Sequence, residues 1–228
     1  MQVYKVGVPE IAISPLTSKI KGALNIGPTL WLIPGGSNIA LAIAVMNLLS
    51  TDLTRNLTIA LTDERFGPYN HPDSNWAQLK QSGFDPKQAK IIETLREGDL
   101  GDMAAVTARY NAEIDEALDS TMTAIGLFGM GVDGHIAGIL PGSLATNEQN
   151  YATVTGYSST TFNRITVTFS AIRRLKTVFL VAMGADKLPQ LERLINQDLP
   201  LDIQPAQIIK QVDEAYVYND QIGGKEQQ

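Results

Sequence analysis

The sequence predicts an α/β fold: a doubly wound, mainly parallel sheet with helices on both faces. Three observations carry this. Compact apolar runs recur along the chain, at 29–34 (TLWLIP), 123–128 (TAIGLF) and 178–183 (VFLVAM). Strands buried on both faces read as continuous apolar runs rather than alternating ones. Helix-like segments separate them, as successive βα units require. Glycine and polar residues follow directly on the runs, where such sheets bind ligands beyond the carboxyl ends of their strands.

The bulk numbers fit this fold. A chain of 228 residues suits one domain, taken here as 1–228. The formal net charge of -6 makes nucleic acid an unfavourable partner. The absence of cysteine excludes disulfides, thiolate catalysis and Cys-ligated zinc. With His71 and His135 the sole histidines, no His-rich metal site is expected. The start, MQVYKVGVPEIAISP, lacks the pattern of a secretion signal, and no apolar run approaches the ~20 residues of a membrane helix. A soluble cytoplasmic protein without cofactor is expected, as a monomer or small homo-oligomer.

In chain order, the first run stops at Gly35-Gly36, and a strongly apolar helix is expected over 39–49, capped by Ser37 or Asn38. The second strand is 57–61 (LTIAL), followed by a polar loop over 63–75. Residues 101–118 have helical character, with charges spaced for a solvated face. Residues 164–169 (RITVTF) alternate as a strand, 178–183 form another, and 215–218 (AYVY) a last short one. The final GGKEQQ reads as a frayed tail.

Four places after strands carry candidate chemistry. Pro34-Gly35-Gly36-Ser37-Asn38 joins a strand to a helix. Its glycines allow close backbone approach to an anion, the helix start supplies free N–H groups, and Ser37 adds a hydroxyl. It lacks the P-loop lysine and the GxGxxG spacing, and its bland reading is a tight turn. Thr62-Asp63-Glu64-Arg65 places three charges at a strand end, which a solvated loop also explains. Further on, Ser74 or Asn75 is a cap for a helix starting near Trp76, and His71 reads as a surface histidine. Gly129-Met130-Gly131-Val132-Asp133-Gly134-His135 follows TAIGLF; a bend at Gly134 lets Asp133 and His135 face one pocket, and a carboxylate beside an imidazole suits proton transfer near neutral pH. Arg164 and Lys187 are cations at strand ends, each singly a plausible surface residue.

In this order, GGS, DER, SN, GMGxDGH with a later PG, RIT and GxxK resemble the 6-phosphogluconolactonases of the glucosamine/galactosamine-6-phosphate isomerase family. That family shares its fold with the glucosamine-6-phosphate deaminases and ribose-5-phosphate isomerase. The resemblance runs from about Leu32 to Lys187. It implies hydrolysis of 6-phosphogluconolactone in the pentose phosphate pathway. Gly35, Gly36, Ser37 and Asn38 would hold the phosphate, with Arg164 and Lys187 as its cations. His135 would be the general base, Asp133 its orienting partner or a substrate contact, and Arg65 a substrate or charge-stabilising group. Asp63 would line the substrate site. No metal is implied.

Two alternatives remain. His135-Ile136-Ala137 is closer to the deaminase pattern, with Asp63 as the base of such an isomerase. Yet Leu140 stands at the deaminases' glutamate position, and Arg65 where they usually have tyrosine. A non-catalytic sugar-phosphate sensor is the other alternative; related regulators carry a DNA-binding helical domain, for which there is no room before Leu30.

Overall fold

The computed structural model describes residues 1–99, 101–147 and 149–223. Its strands are β1 (Gln2–Lys5), β2 (Thr29–Ile33), β3 (Leu57–Leu61), β4 (Asp63–Arg65), β5 (Lys90–Ile92), β6 (Thr123–Phe128), β7 (Val154–Ser158), β8 (Asn163–Val167), β9 (Thr177–Ala182) and β10 (Glu214–Asn219). Its α-helices are α1 (Ile13–Ile26), α2 (Ile39–Leu48), α3 (Asn75–Gln81), α4 (Met103–Ser120), α5 (Phe169–Arg173) and α6 (Leu188–Asn196).

A seven-stranded sheet runs in the order β1-β10-β9-β6-β2-β3-β5, every neighbouring pair parallel. Side chains alternate across it. Leu30 and Leu32 of β2 enter one core with Tyr110 and Ile114 of α4, Phe169 of α5 and Leu191 of α6. Trp31 and Ile33 enter the other, with Leu16 and Ile20 of α1, Val45 of α2 and Leu79 of α3. Helices therefore cover both faces, and each buried apolar side chain contributes about 1.5–3 kcal/mol relative to exposure. β2 pairs with β3 on one side and β6 on the other. The order of the chain reverses there, and a crevice opens at the carboxyl ends of β2 and β6.

Several expectations need correction. The segment 164–169 does not join the parallel sheet: β8 lies between β4 and β7 in a separate antiparallel sheet, and Phe169 already begins α5. The expected loop over 63–75 begins as strand β4, because Asp63, Glu64 and Arg65 pair with Thr166, Ile165 and Arg164. The helix expected over 101–118 is α4, and Asp102 caps it by accepting from the Ala104 and Ala105 amides. The expected frayed tail lies, apart from Gly223, outside the described residues.

Thr62 joins the two sheets. Its N–H donates to the Ile33 carbonyl of the large sheet (2.9 Å), and its carbonyl accepts from the Val167 N–H of the small one (2.9 Å).

Candidate active site

The chain leaves β2 through Pro34-Gly35-Gly36 into a short 3-10 turn, Gly36–Asn38, and then α2. Gly36 has a φ of +64, a conformation in which a side chain would be strained. A Cβ on Gly35 would sit 2.1 Å from Asn75 Oδ1, so glycine is what allows Asn75 to close over the loop. The first N–H groups of a helix lack intrahelical partners, and they combine with the dipole to favour an anion. Neither Ser37 nor Asn38 caps α2 through its side chain. Asn38 is 4% exposed and donates instead to the carbonyls of Phe128 (3.2 Å) and Val181 (3.3 Å). It ties the start of α2 to the ends of β6 and β9, a structural duty distinct from the phosphate contact expected of it.

The glycine-framed turn after β6 is held by its own backbone. The Gly131 N–H donates to His135 O, the Gly134 N–H donates to Gly131 O, and Gly134 takes the left-handed φ of +86 that closes the bend. Asp133 and His135 then face each other, Nδ1 to Oδ1 at 2.6 Å, leaving the imidazole Nε2 for the cleft. A Cβ on Gly131 would fall 2.1 Å from His135 Nδ1 and 2.6 Å from Asp133 Oδ1. Partial burial works to raise the Asp133 carboxyl, but the hydrogen bond and charge of His135 prevail and hold it down at about 2.

The third wall comes from the small sheet. Arg65 and Arg164 are directly opposed across β4 and β8 and so share one face. Arg164 Nη1 lies 4.0 Å from Asp63 Oδ2, and both side chains are largely buried. Arg65 Nη1 donates to the Asp73 carbonyl at 3.1 Å. Between these motifs, the Glu64 carboxylate is fully buried and accepts from the amides of Arg65, Asn75 and Trp76 and from the Ser74 hydroxyl. Burial pushes Glu64 up from the usual carboxylate range, with those four hydrogen bonds acting against it. Glu64 thus fastens β4 to the start of α3, where Ser74 is the cap. On the far side, Lys187 Nζ donates to the Met130 carbonyl at 2.7 Å.

These elements enclose a cleft of about 250 Å³, the scale of one small molecule. Gly35, Gly36, Ser37, Asn38, Asp63, Arg65, His135, Arg164 and Lys187 all line it, and Asp133 stands behind His135. Among the described residues no three His, Asp or Glu side chains converge as metal ligands do.

Residues 14–218 match the family model described as glucosamine-6-phosphate isomerases/6-phosphogluconolactonase. The chain belongs to this family. It is similar to a 6-phosphogluconolactonase of Haemophilus influenzae, 24% identical over 64% of each chain. It is likewise similar to a glucosamine-6-phosphate deaminase of Lysinibacillus sphaericus, 26% identical over 64% of this chain and 66% of that one. The chain thus spans just under two thirds of the length of these curated relatives. The crystal structure of a Thermotoga maritima 6-phosphogluconolactonase superposes with a TM-score of 0.77 at 20% identity, covering 95% of this chain and 97% of that one, a likeness of fold.

Within the family frame, Leu140 faces a neighbouring groove beside Tyr157 rather than the cleft. His71 departs from the surface role expected of it: it is half-buried, and its Nε2 lies 2.8 Å from the Arg65 carbonyl. Asn75, read in the sequence as a cap and within the SN motif, was given no role in the site, yet it lines the cleft and donates to the Asp63 carbonyl at 2.8 Å. Phe162, outside the cleft lining, gave no signal beyond being an aromatic two positions before an arginine. Its ring lies 5.1 Å from Arg65 Cζ and 5.6 Å from Arg164 Cζ.

Proposed function

We propose that the protein hydrolyses 6-phosphogluconolactone to 6-phosphogluconate, a step of the pentose phosphate pathway, with His135 activating the water. The observation that carries this reading is that the Asp133–His135 pair opens into the same cleft as the Gly35-Gly36-Ser37 turn and three cations. The substrate phosphate rests on the amides of that turn, with Arg164 and Lys187 nearby. With Asp133 accepting from Nδ1–H, the neutral imidazole carries its lone pair on Nε2, which takes a proton as water attacks the lactone carbonyl carbon. Negative charge develops on the carbonyl oxygen and is met by Arg65. The ring C–O bond then breaks, and the imidazolium returns its proton to the departing oxygen. The phosphate does no chemistry; its binding energy holds the ring in register. A deaminase reading lacks an acid at position 140. A cytoplasmic setting, a single domain, and a monomer or small homo-oligomer complete the proposal.

The test is hydrolysis of freshly prepared 6-phosphogluconolactone above its spontaneous rate. Wild type is expected to be active, and His135→Ala to lose about 10²–10⁴ in kcat. Equal rates for the two proteins refute the assigned base. Robust ammonia release from glucosamine 6-phosphate moves the protein to the deaminase branch.

A further inference from the structure

Arg65 and Arg164 present a physical problem. They are directly opposed in an antiparallel pair, an arrangement that is destabilising for like charges. The Nε atoms of both are buried without a hydrogen-bond partner. Asp63, at 4.0 Å from Arg164, offsets part of one charge, and the Asp73 carbonyl receives Arg65. What the two guanidinium groups share is Phe162. Two residues from Arg164 along an extended chain, its ring emerges on the same face, and both cations lie over it. An aromatic face attracts cations and fixes a guanidinium plane that would otherwise sample many rotamers. The ring stands on a rigid base, because the Ser159 N–H and hydroxyl both donate to the Phe162 carbonyl (3.0 and 2.7 Å).

We propose that Phe162 is a positioning residue that holds Arg65 and Arg164 together as one anion clamp, and so sets affinity for the phosphorylated substrate without taking part in proton transfer. This rests on the function proposed above, but its binding readout does not depend on turnover. The backbone bonds that shape the hairpin do not involve the ring, so substitutions at this position leave the turn intact.

The experiment compares wild type, Phe162→Leu and Phe162→Tyr in two assays. One is steady-state hydrolysis of 6-phosphogluconolactone, and the other is calorimetric binding of 6-phosphogluconate. Leucine keeps an apolar side chain but removes the π face; tyrosine keeps the face. Phe162→Leu is expected to raise KM and weaken 6-phosphogluconate binding about tenfold, the loss of two cation–π contacts, and to lower kcat as well because Arg65 meets the carbonyl charge. Phe162→Tyr is expected to restore all three to within about twofold. Unchanged KM and binding in the leucine variant overturn the inference, as does a fall in kcat alone or a tyrosine variant as impaired as leucine. If wild type fails to hydrolyse the lactone yet binds 6-phosphogluconate in a Phe162-dependent way, the function above fails and the clamp stands.

Discussion

At the scale of single residues, the hydrogen bond between Asp133 and His135 fixes which nitrogen faces the cleft. Because Asp133 is held at about 2, it is ionised across the whole range around neutral pH and meets His135 as a charged acceptor. Asp133→Asn keeps the shape of the side chain but removes that charge, and kcat for lactone hydrolysis is expected to fall. Steady-state rates of both proteins check this; equal rates remove Asp133 from the pair. The same depression has a stability sign. The unfolded value is ~3.9, so the contribution is present above that pH and is lost as pH falls through about 2.

Residue-level legibility depended on how local the signal was. Asp133, Gly134 and His135 lie within three positions, and turn chemistry alone brings the pair together. The structural contacts of Asn38 were not legible because the carbonyls it satisfies, Phe128 and Val181, are 90 and 143 positions away. Phe162 went unseen because its role depends on a partner across another strand, Arg65 of β4.

At the scale of elements, the cradle depends on where α2 starts, and the Asn38 amide group sets that point. Asn38→Ala leaves buried carbonyls without this donor, at a cost of about 2 kcal/mol. Thermal unfolding should shift down by about 4–8 °C for a chain of this size. Circular dichroism melts at equal concentration measure it; an unchanged Tm means the tie does not hold α2. The central strands β2, β3, β6 and β9 were legible because burial on both faces leaves them apolar apart from one threonine each. β1 and β5 were not: they are short edge strands with exposed, mixed residues. β4 was hidden because its charged residues pair outward from the main sheet.

At the scale of the whole molecule, the cleft lies between two sheets of unequal size. His135 and the cradle hang from the seven-stranded sheet, while Arg65 and Arg164 belong to the three-stranded one. The small sheet buries less and is expected to open at lower free energy. A ligand that engages both should therefore protect the small sheet most. In hydrogen exchange, 6-phosphogluconate is expected to slow Asp63–Arg65 and Asn163–Val167 more than β2, β6 or β9. Equal protection of both sheets would mean that the arginines do not receive the ligand. The doubly wound architecture was readable from the sequence, but the second sheet was not, since a lone alternating run such as RITVTF does not declare which sheet it joins.

The two-way backbone bonding of Thr62 has a further consequence. Thr62 passes the chain from the large sheet to β4, and β4 pairs with the β7–β8 hairpin that carries Phe162 and Arg164, so the arginines reach the cleft from a sheet other than the one that carries His135. Changes at the tip of that hairpin can retune which anion is gripped and leave the proton-handling turn untouched. Within this architecture, the grip on the anion and the transfer of the proton are separately adjustable parts.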